Sequence, residues 1–183
     1  MTGSTQKRKI NQNELNQIIV EHNKWLKNHS EGRQAYLSGI SFTDTVLENV
    51  NLNHSIIENC DFTFCRFTNT QLRDCTIICS NFNKVNFECC DISEARLIIN
   101  HFHRVFISNC NISESIFQGG SAERFYPRYN IRFKTEFRNV LVDKDTDSFF
   151  KNHHNDIRIF INDSTLKLLY YLAKQNEDDE DEL

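Results

Sequence analysis

The sequence predicts a mainly β protein built as a solenoid, closed at its N-terminus by a helix and at its C-terminus by a capping segment that contains a second helix. Three observations carry this. Every fifth residue from Leu37 to Phe117 is large and apolar without exception. The residue two places before each of these centres is small, or a Val or Thr, apart from Ile40 and Asn100. Fifteen Phe against five Gly and one Pro in 183 residues give material for a real core with few of the usual turn-makers, which implies tight, regular geometry.

Residues 1–34 read as an N-terminal segment and helical cap. Asn11 with Glu14 three residues on forms a capping box, and Leu15, Ile18, Ile19, His22, Trp25 and Leu26 make one apolar helical stripe. A solenoid exposes an apolar cross-section and unpaired backbone at each end, so such a cap is needed. Trp25, the single tryptophan, reads as its anchor.

Residues 35–119 carry the beat of five. A helix repeats at 3.6 and a strand at 2, so a large residue and a small one recurring every five with polar residues between fit neither. They fit a stacked repeat whose inward positions form one continuous core. The units "CDFTF" (60–64), "SNFNK" (80–84), "CDISE" (90–94) and "CNISE" (110–114) make the segment resemble the pentapeptide-repeat family, whose unit reads approximately Ala-Asp/Asn-Leu-x-x. The resemblance implies a right-handed quadrilateral parallel β-helix with four repeats per turn. Sorting the centres by twenty puts Phe42, Phe62, Phe82 and Phe102 in one column, as a narrow interior would favour. About four turns at roughly 4.8 Å each give a rod about 20 Å long.

After Phe117 the frame meets Gly119-Gly120 and fails, since Ala122, Pro127 and Arg132 take the next in-phase places. The coil is expected to stop or be interrupted there, with Phe137 and Val142 back in phase as a last incomplete turn. Residues 120–174 form the expected C-terminal cap. "IRIFI" (157–161) reads as a strand, and Asp163 as the N-cap of a helix over 164–174 that is apolar nearly all round. Residues 175–183 are an acidic tail containing "EDDEDEL", expected to be disordered and solubilising.

The composition argues against several functions. Seven cysteines include no CxxC pair or zinc-finger quartet, and Cys60, Cys65, Cys75, Cys90 and Cys110 share the small inward phase, as small buried hydrophobes would. A reducing compartment follows, a bacterial cytoplasm by expectation, with delivery into a host cell as the variant. No apolar run approaches a membrane span, and no apolar segment follows the basic start, so no membrane partner and no Sec-type signal are expected.

Cys79 and Cys89 face outward by phase but have no evident activating base. His101 and His103, with His153-His154, could be read as a metal site. Ordinary solvated histidines are the better reading, because no carboxylate or cysteine stands at ligand spacing. With no phosphate-binding glycine loop, the expectation is no enzyme, no cofactor and no metal. The net charge of −4 divides as +3 over 1–34, −4 over 35–119 and −3 over 120–183, without a long basic stripe, so direct nucleic-acid binding is disfavoured.

A non-catalytic scaffold for protein–protein interaction is the leading expectation, and two surfaces are candidates for it. On the Leu37-to-Phe117 side, Tyr36, Ile56, Ile78, Ile98, Ile99 and Ile116, with Thr76 and Cys79, form an apolar stripe. Its expected cover is the chain's own 164–174 helix, giving a monomer, with a homodimer as the alternative. On the Leu52-to-Ile112 side, Asp74, Asp91, Glu94 and Glu114 form an acidic face with Arg73 as the only base. Some members of the family resemble a DNA duplex in size and charge and bind type II topoisomerases such as gyrase, protecting them from quinolones or peptide toxins. The resemblance thereby implies two alternatives to a scaffold: such a mimic, or a secreted bacterial effector.

Overall fold

The structure, a computed structural model, describes residues 7–127, 131, 134–152 and 157–160. Backbone pairing is parallel and displaced by twenty residues on all four sides of a coil of about five turns. The first side stacks Tyr36, Ile56, Thr76, Arg96 and Ile116 in register. The second stacks Ser41, Asp61, Asn81, His101 and Ser121, and the third Val46, Arg66, Asn86, Phe106 and Tyr126. The fourth is held by single bridges joining Asn51, Gln71, Asp91 and Asn111. A beat of five is therefore one side, and twenty is one turn.

Every centre from Leu37 to Phe117 is buried. In the second column the ring centroids of Phe42 and Phe62 are 4.8 Å apart, Phe62 and Phe82 4.9 Å, and Phe82 and Phe102 4.9 Å, all stacked. That interval is the spacing between paired strands, so the ladder itself sets the aromatic stack. Of the small inward positions only Thr45 is less than buried. Several of their polar atoms bond back across the turn below, as Cys65 does to the Phe42 carbonyl (2.8 Å) and Thr70 to that of Leu47 (2.8 Å). Burial pushes the thiols of Cys65 and Cys75 up to about 12, so neither ionises at neutral pH.

The corners explain how the chain turns with so little glycine. From Gly39 to Gly119 the residue two after each centre has a positive φ, between 49° and 67°, whether it is Asn49, His54, Phe64, Cys79, Lys84 or Ile99. This conformation costs an L-residue about 1–2 kcal/mol, least for Asn and Asp. Hydrogen bonds close some of these turns, from the Thr45 N–H to the Phe42 carbonyl (2.9 Å) and from the Ser55 N–H to that of Leu52 (3.1 Å).

At the N-terminus, Arg8–Lys9 adds a strand beside Ile40–Ser41, so part of the expected helical cap belongs to the ladder. Helix α1 (Gln12–Lys27) follows, with the Asn11 side chain accepting the Glu14 N–H at 2.9 Å. The reciprocal half of the expected capping box is replaced: the Glu14 carboxylate takes both Arg8 guanidinium nitrogens (2.6 and 2.7 Å). Leu15 and His22 are buried on the coil, whereas Ile18, Ile19, Trp25 and Leu26 are half-buried.

The ladder carries on where the five-residue frame fails. Ser121–Pro127 pairs with His101–Ser108, Thr135–Arg138 with Ile116–Gln118, and Ile157–Phe160 with Thr135–Arg138. Gly119-Gly120 permits this instead of ending it. Gly119 occupies an ordinary corner, and a Cβ at Gly120 would lie 1.9 Å from the Asn100 carbonyl oxygen directly below. Asn100, the one large polar residue at a small inward position, has its amide oxygen on the Ser80 N–H (2.8 Å) and its NH2 on the Ile77 carbonyl (2.8 Å). Beyond it the inward positions keep their phase but exchange sizes, with Ala122 in the line of Phe102 and Phe125 in that of Val105, both buried, and Pro127 only half-buried. Helix α2 (Lys144–Asn152) covers this end: the Asp143 carboxylate accepts the Thr146 N–H (3.0 Å), and Phe150 lies 4.3 Å from Phe137. The helix expected over 164–174, its cap Asp163 and the acidic run lie outside the described residues.

Candidate functional site

Because the coil consumes its inward side chains, any site must be made of sides and edges. Each corner residue stacks on the one twenty positions away, so the left-handed positions form four edges. The first carries Gly39, Asn59, Cys79, Ile99 and Gly119, and the second Asp44, Phe64, Lys84, Arg104 and Arg124. The third carries Asn49, Asn69, Cys89 and Asn109, and the fourth His54, Asp74, Glu94, Glu114 and Lys134.

The expected apolar stripe is present in part. Tyr36 and Ile99 are 58% and 51% exposed, Ile56, Ile78, Ile98 and Ile116 are half-buried, and Cys79 is exposed. It is not continuous. Arg96 is exposed in the same line between Thr76 and Ile116, and the Tyr36 hydroxyl donates to the Glu58 carboxylate at 2.7 Å. The alternation of outward residues along each strand puts these polar groups among the apolar ones.

The acidic face requires a correction. Asp74, Glu94 and Glu114 form a column on the fourth edge, while Asp91 stands on the adjoining side and accepts from the Ser93 N–H (3.1 Å), the Ser93 hydroxyl (2.6 Å) and the Asn111 NH2 (3.2 Å). Arg73 is not the only base. Arg73 pairs with Glu94, Lys134 reaches Glu114 at 3.2 Å, and the His54 ring lies 2.9 Å from Asp74. Lys134 arrives because the ladder continues past the frame's failure, which the five-residue count does not show.

Where α1 meets the coil, a cavity of about 350 Å³ is lined by Trp25, His29, Gln34, His54, Ile56, Asp74 and Thr76. Trp25 stacks on His29 (4.3 Å) with His22 behind (5.7 Å). Sequence reasoning missed it, because its walls come from a helix and two sides whose adjacency depends on how the cap is seated. His22 is fully buried: its Nδ1 accepts the Ala35 N–H (3.0 Å), so Nε2 carries the proton toward the Asn53 carbonyl (3.0 Å), and burial pulls its pKa down.

His101 and His103 both point outward, but toward Ser121 (3.2 Å) and Glu123 (3.4 Å) respectively. Among the described residues no three His, Cys, Asp or Glu gather as a metal-binding group; His153-His154 lie outside them. Cys79 and Cys89 sit exposed on different edges. Among the described residues no helix is long and apolar enough to cross a membrane.

The family profile described as pentapeptide repeats matches residues 33–63 and 65–98 in eight copies. This part of the coil carries pentapeptide repeats. Solved pentapeptide-repeat proteins are similar to it at low identity. One from the cyanobacterium Cyanothece 51142 is 12% identical with a TM-score of 0.47, covering 69% of this chain and 96% of that one. One from the thylakoid lumen of Arabidopsis thaliana is 16% identical with a TM-score of 0.32, covering 66% and 77%. A trypsin-treated form of QnrB1, a plasmid-mediated fluoroquinolone resistance protein, is 17% identical with a TM-score of 0.29, covering 61% and 73%. No curated protein matches the chain.

Proposed function

We propose that this protein is a non-catalytic scaffold, a stiff pentapeptide-repeat rod whose first side is recognised by another protein. The observation that carries the reading is the exposure of Tyr36 and Ile99 beside half-buried Ile56, Ile78, Ile98 and Ile116, since clustered apolar surface on an otherwise polar rod marks an interaction site. In-register stacking supports it by fixing these side chains about 4.8 Å apart from turn to turn. A photo-crosslinking residue placed at 56, 78 or 99 in the source cells should form an adduct with one partner protein, and the same probe at 51 or 71 on the fourth side should not. Equal labelling from both sides would count against the reading. An adduct within the chain to 164–174 would identify an internal lid in place of a partner, and an adduct to a second copy a homodimer.

A second reading, a duplex mimic directed at a type II topoisomerase, draws on the column Asp74, Glu94 and Glu114. The ion pairs to Arg73 and Lys134 weaken it, because the edge presents less net negative charge than its carboxylates alone. Micromolar protein should then inhibit or protect gyrase in a supercoiling assay, and Glu94→Gln with Glu114→Gln should reduce the effect. Absence of any effect leaves the scaffold.

A further inference from the structure

Each turn of the coil is paired by the turn above it, which leaves the lowest turn with strands that have a free lower edge. One turn up on the first side, the Ile56 N–H donates to the Ala35 carbonyl (2.9 Å) and the Glu58 carbonyl accepts the Gly39 N–H (3.0 Å). The equivalent groups of the lowest turn are the Tyr36 N–H and the Ser38 carbonyl. Tyr36–Ser38 ends its sheet, both residues are exposed, and among the described residues neither group has a hydrogen-bond partner. On the adjoining second side the chain itself fills the same place. Arg8–Lys9 pairs in parallel beneath Ile40–Ser41, and the Ile10 N–H donates to the Ser41 carbonyl at 3.2 Å. The base of the coil therefore accepts an added parallel strand. Beside the bare edge of the first side, α1 leaves a groove of about 320 Å³, walled by Gln17, Ile18 and Glu21 on the helix and by Ala35 and Tyr36 on the coil.

We propose that this edge takes up an extended segment of the partner protein as one more parallel strand, seated between Tyr36–Ser38 and α1. An unmet donor and acceptor on a strand edge are matched by another extended backbone, whereas a helix has already spent its own groups. The alternation of side chains then sets what the segment must carry. Its residue beneath Tyr36 faces outward and continues the column of Tyr36 and Ile56, which suits an aliphatic or aromatic side chain. The next residue falls in the line of Leu37. The cap already closes that line, since Leu37 is 1% exposed and Ile18 packs against the core, so only Gly, Ala or Ser fits. The third, beneath Ser38, faces outward again and is polar. The inference rests on the first side being the recognised surface and adds the lower edge of that side to it.

The test titrates the full-length, nitrogen-15-labelled chain with the end-blocked peptide Ser-Thr-Ile-Ala-Thr-Lys up to about 1 mM, since two or three backbone bonds give a weak complex. The Tyr36 amide resonance should move downfield and its solvent exchange should slow about fivefold or more. The Val46 amide, the equivalent bare donor at the foot of the third side, should not respond. Tyr36→Pro removes the donor without cost to the ladder, because that N–H is unbonded in the free chain, and should weaken binding about tenfold or more; Tyr36→Phe should stay within about twofold. Methylating the backbone nitrogen of the peptide's alanine gives the same loss with the protein untouched, which covers a proline variant that does not fold. Leu in place of that alanine should also bind more weakly. A Tyr36 amide unmoved at the highest concentration would overturn the proposal, as would an equal response at Val46 or undiminished binding of the methylated peptide. So would binding that appears only after residues 1–6 are removed, which would make the chain's own N-terminus the occupant, or Tyr36 protection that rises with protein concentration alone, which would make it a second copy. The crosslinks from 56, 78 and 99 decide the scaffold reading separately, so its failure and the failure of this inference are told apart.

Discussion

Phe82→Ala tests the stacked interior at its centre. The ring is 1% exposed and sits between Phe62 and Phe102 at 4.9 Å on each side, with Phe87 tilted against it at 6.0 Å. Truncation removes the transfer contribution of the ring and leaves a cavity, together about 3–5 kcal/mol; two aromatic contacts of about 0.5–1.5 kcal/mol each are part of that figure. The site has little means of collapse, because the turns above and below are pinned in register by Asn81–Asn83 pairing with His101–His103 and by the Asp61–Asn81 bridge. At about 2–4 °C per kcal/mol for a domain of this size, the melting temperature should fall by about 6–20 °C. Urea unfolding followed by far-ultraviolet circular dichroism gives the free energy. Asn83→Ala, on the same strand and half-buried, should change it by about 0.5 kcal/mol or less. Equal unfolding midpoints for the two variants would refute the inward–outward assignment.

Gly120→Ala should destabilise by several kcal/mol, because overpacking against the Asn100 carbonyl adds to the positive-φ penalty, whereas Gly39→Ala, with nothing within 4 Å, should cost only about 1–2 kcal/mol; parallel urea titrations compare them. Ile99→Asn should stabilise by about 1 kcal/mol, since a β-branched residue at φ 54° is the least suited of the corner residues, and a lower melting temperature would contradict this. The His22 linkage has a definite sign. Its folded pKa lies below the unfolded value of about 6.5, so its contribution is complete above that pH and is lost as the pH falls toward the folded value, while the unfolded chain takes up the proton first. The urea midpoint read by Trp25 fluorescence should therefore decline below about pH 6.5, and His22→Gln should flatten that decline.

The coil was legible because its period is set by local covalent repetition: each centre has the same neighbours, and the all-Phe column agrees with the twenty-residue turn that the family resemblance implies. The left-handed corners were less visible. Asn49, Asn59, Asn69 and Asn109 mark the phase, but Phe64, Cys79 and Ile99 conceal it, because the ladder imposes the conformation against residue preference. The failure at Gly119-Gly120 was misleading for a different reason. Gly120 lies against the backbone of residue 100, where any Cβ would collide, a relation that exists only once the chain has completed a turn. The acidic face was read from residues 35–119 alone, so Lys134, which the continuing turn around Phe137 brings beside Glu114, was missing from it.

The coincidence of one repeat with one side also governs how such a chain can change length. Loss or gain of twenty residues removes or adds a whole storey and leaves every vertical alignment intact. Loss or gain of five residues keeps the core alternation and the ladder, yet rotates everything beyond that point by a quarter turn. A five-residue deletion between Phe64 and Lys84 would bring Cys89 and Asn109 into line above Phe64, in place of Lys84 and Arg104. Redistribution of surface chemistry is thus available to this architecture by slippage alone, without altering a single side chain, in the manner of a combination lock turned one notch.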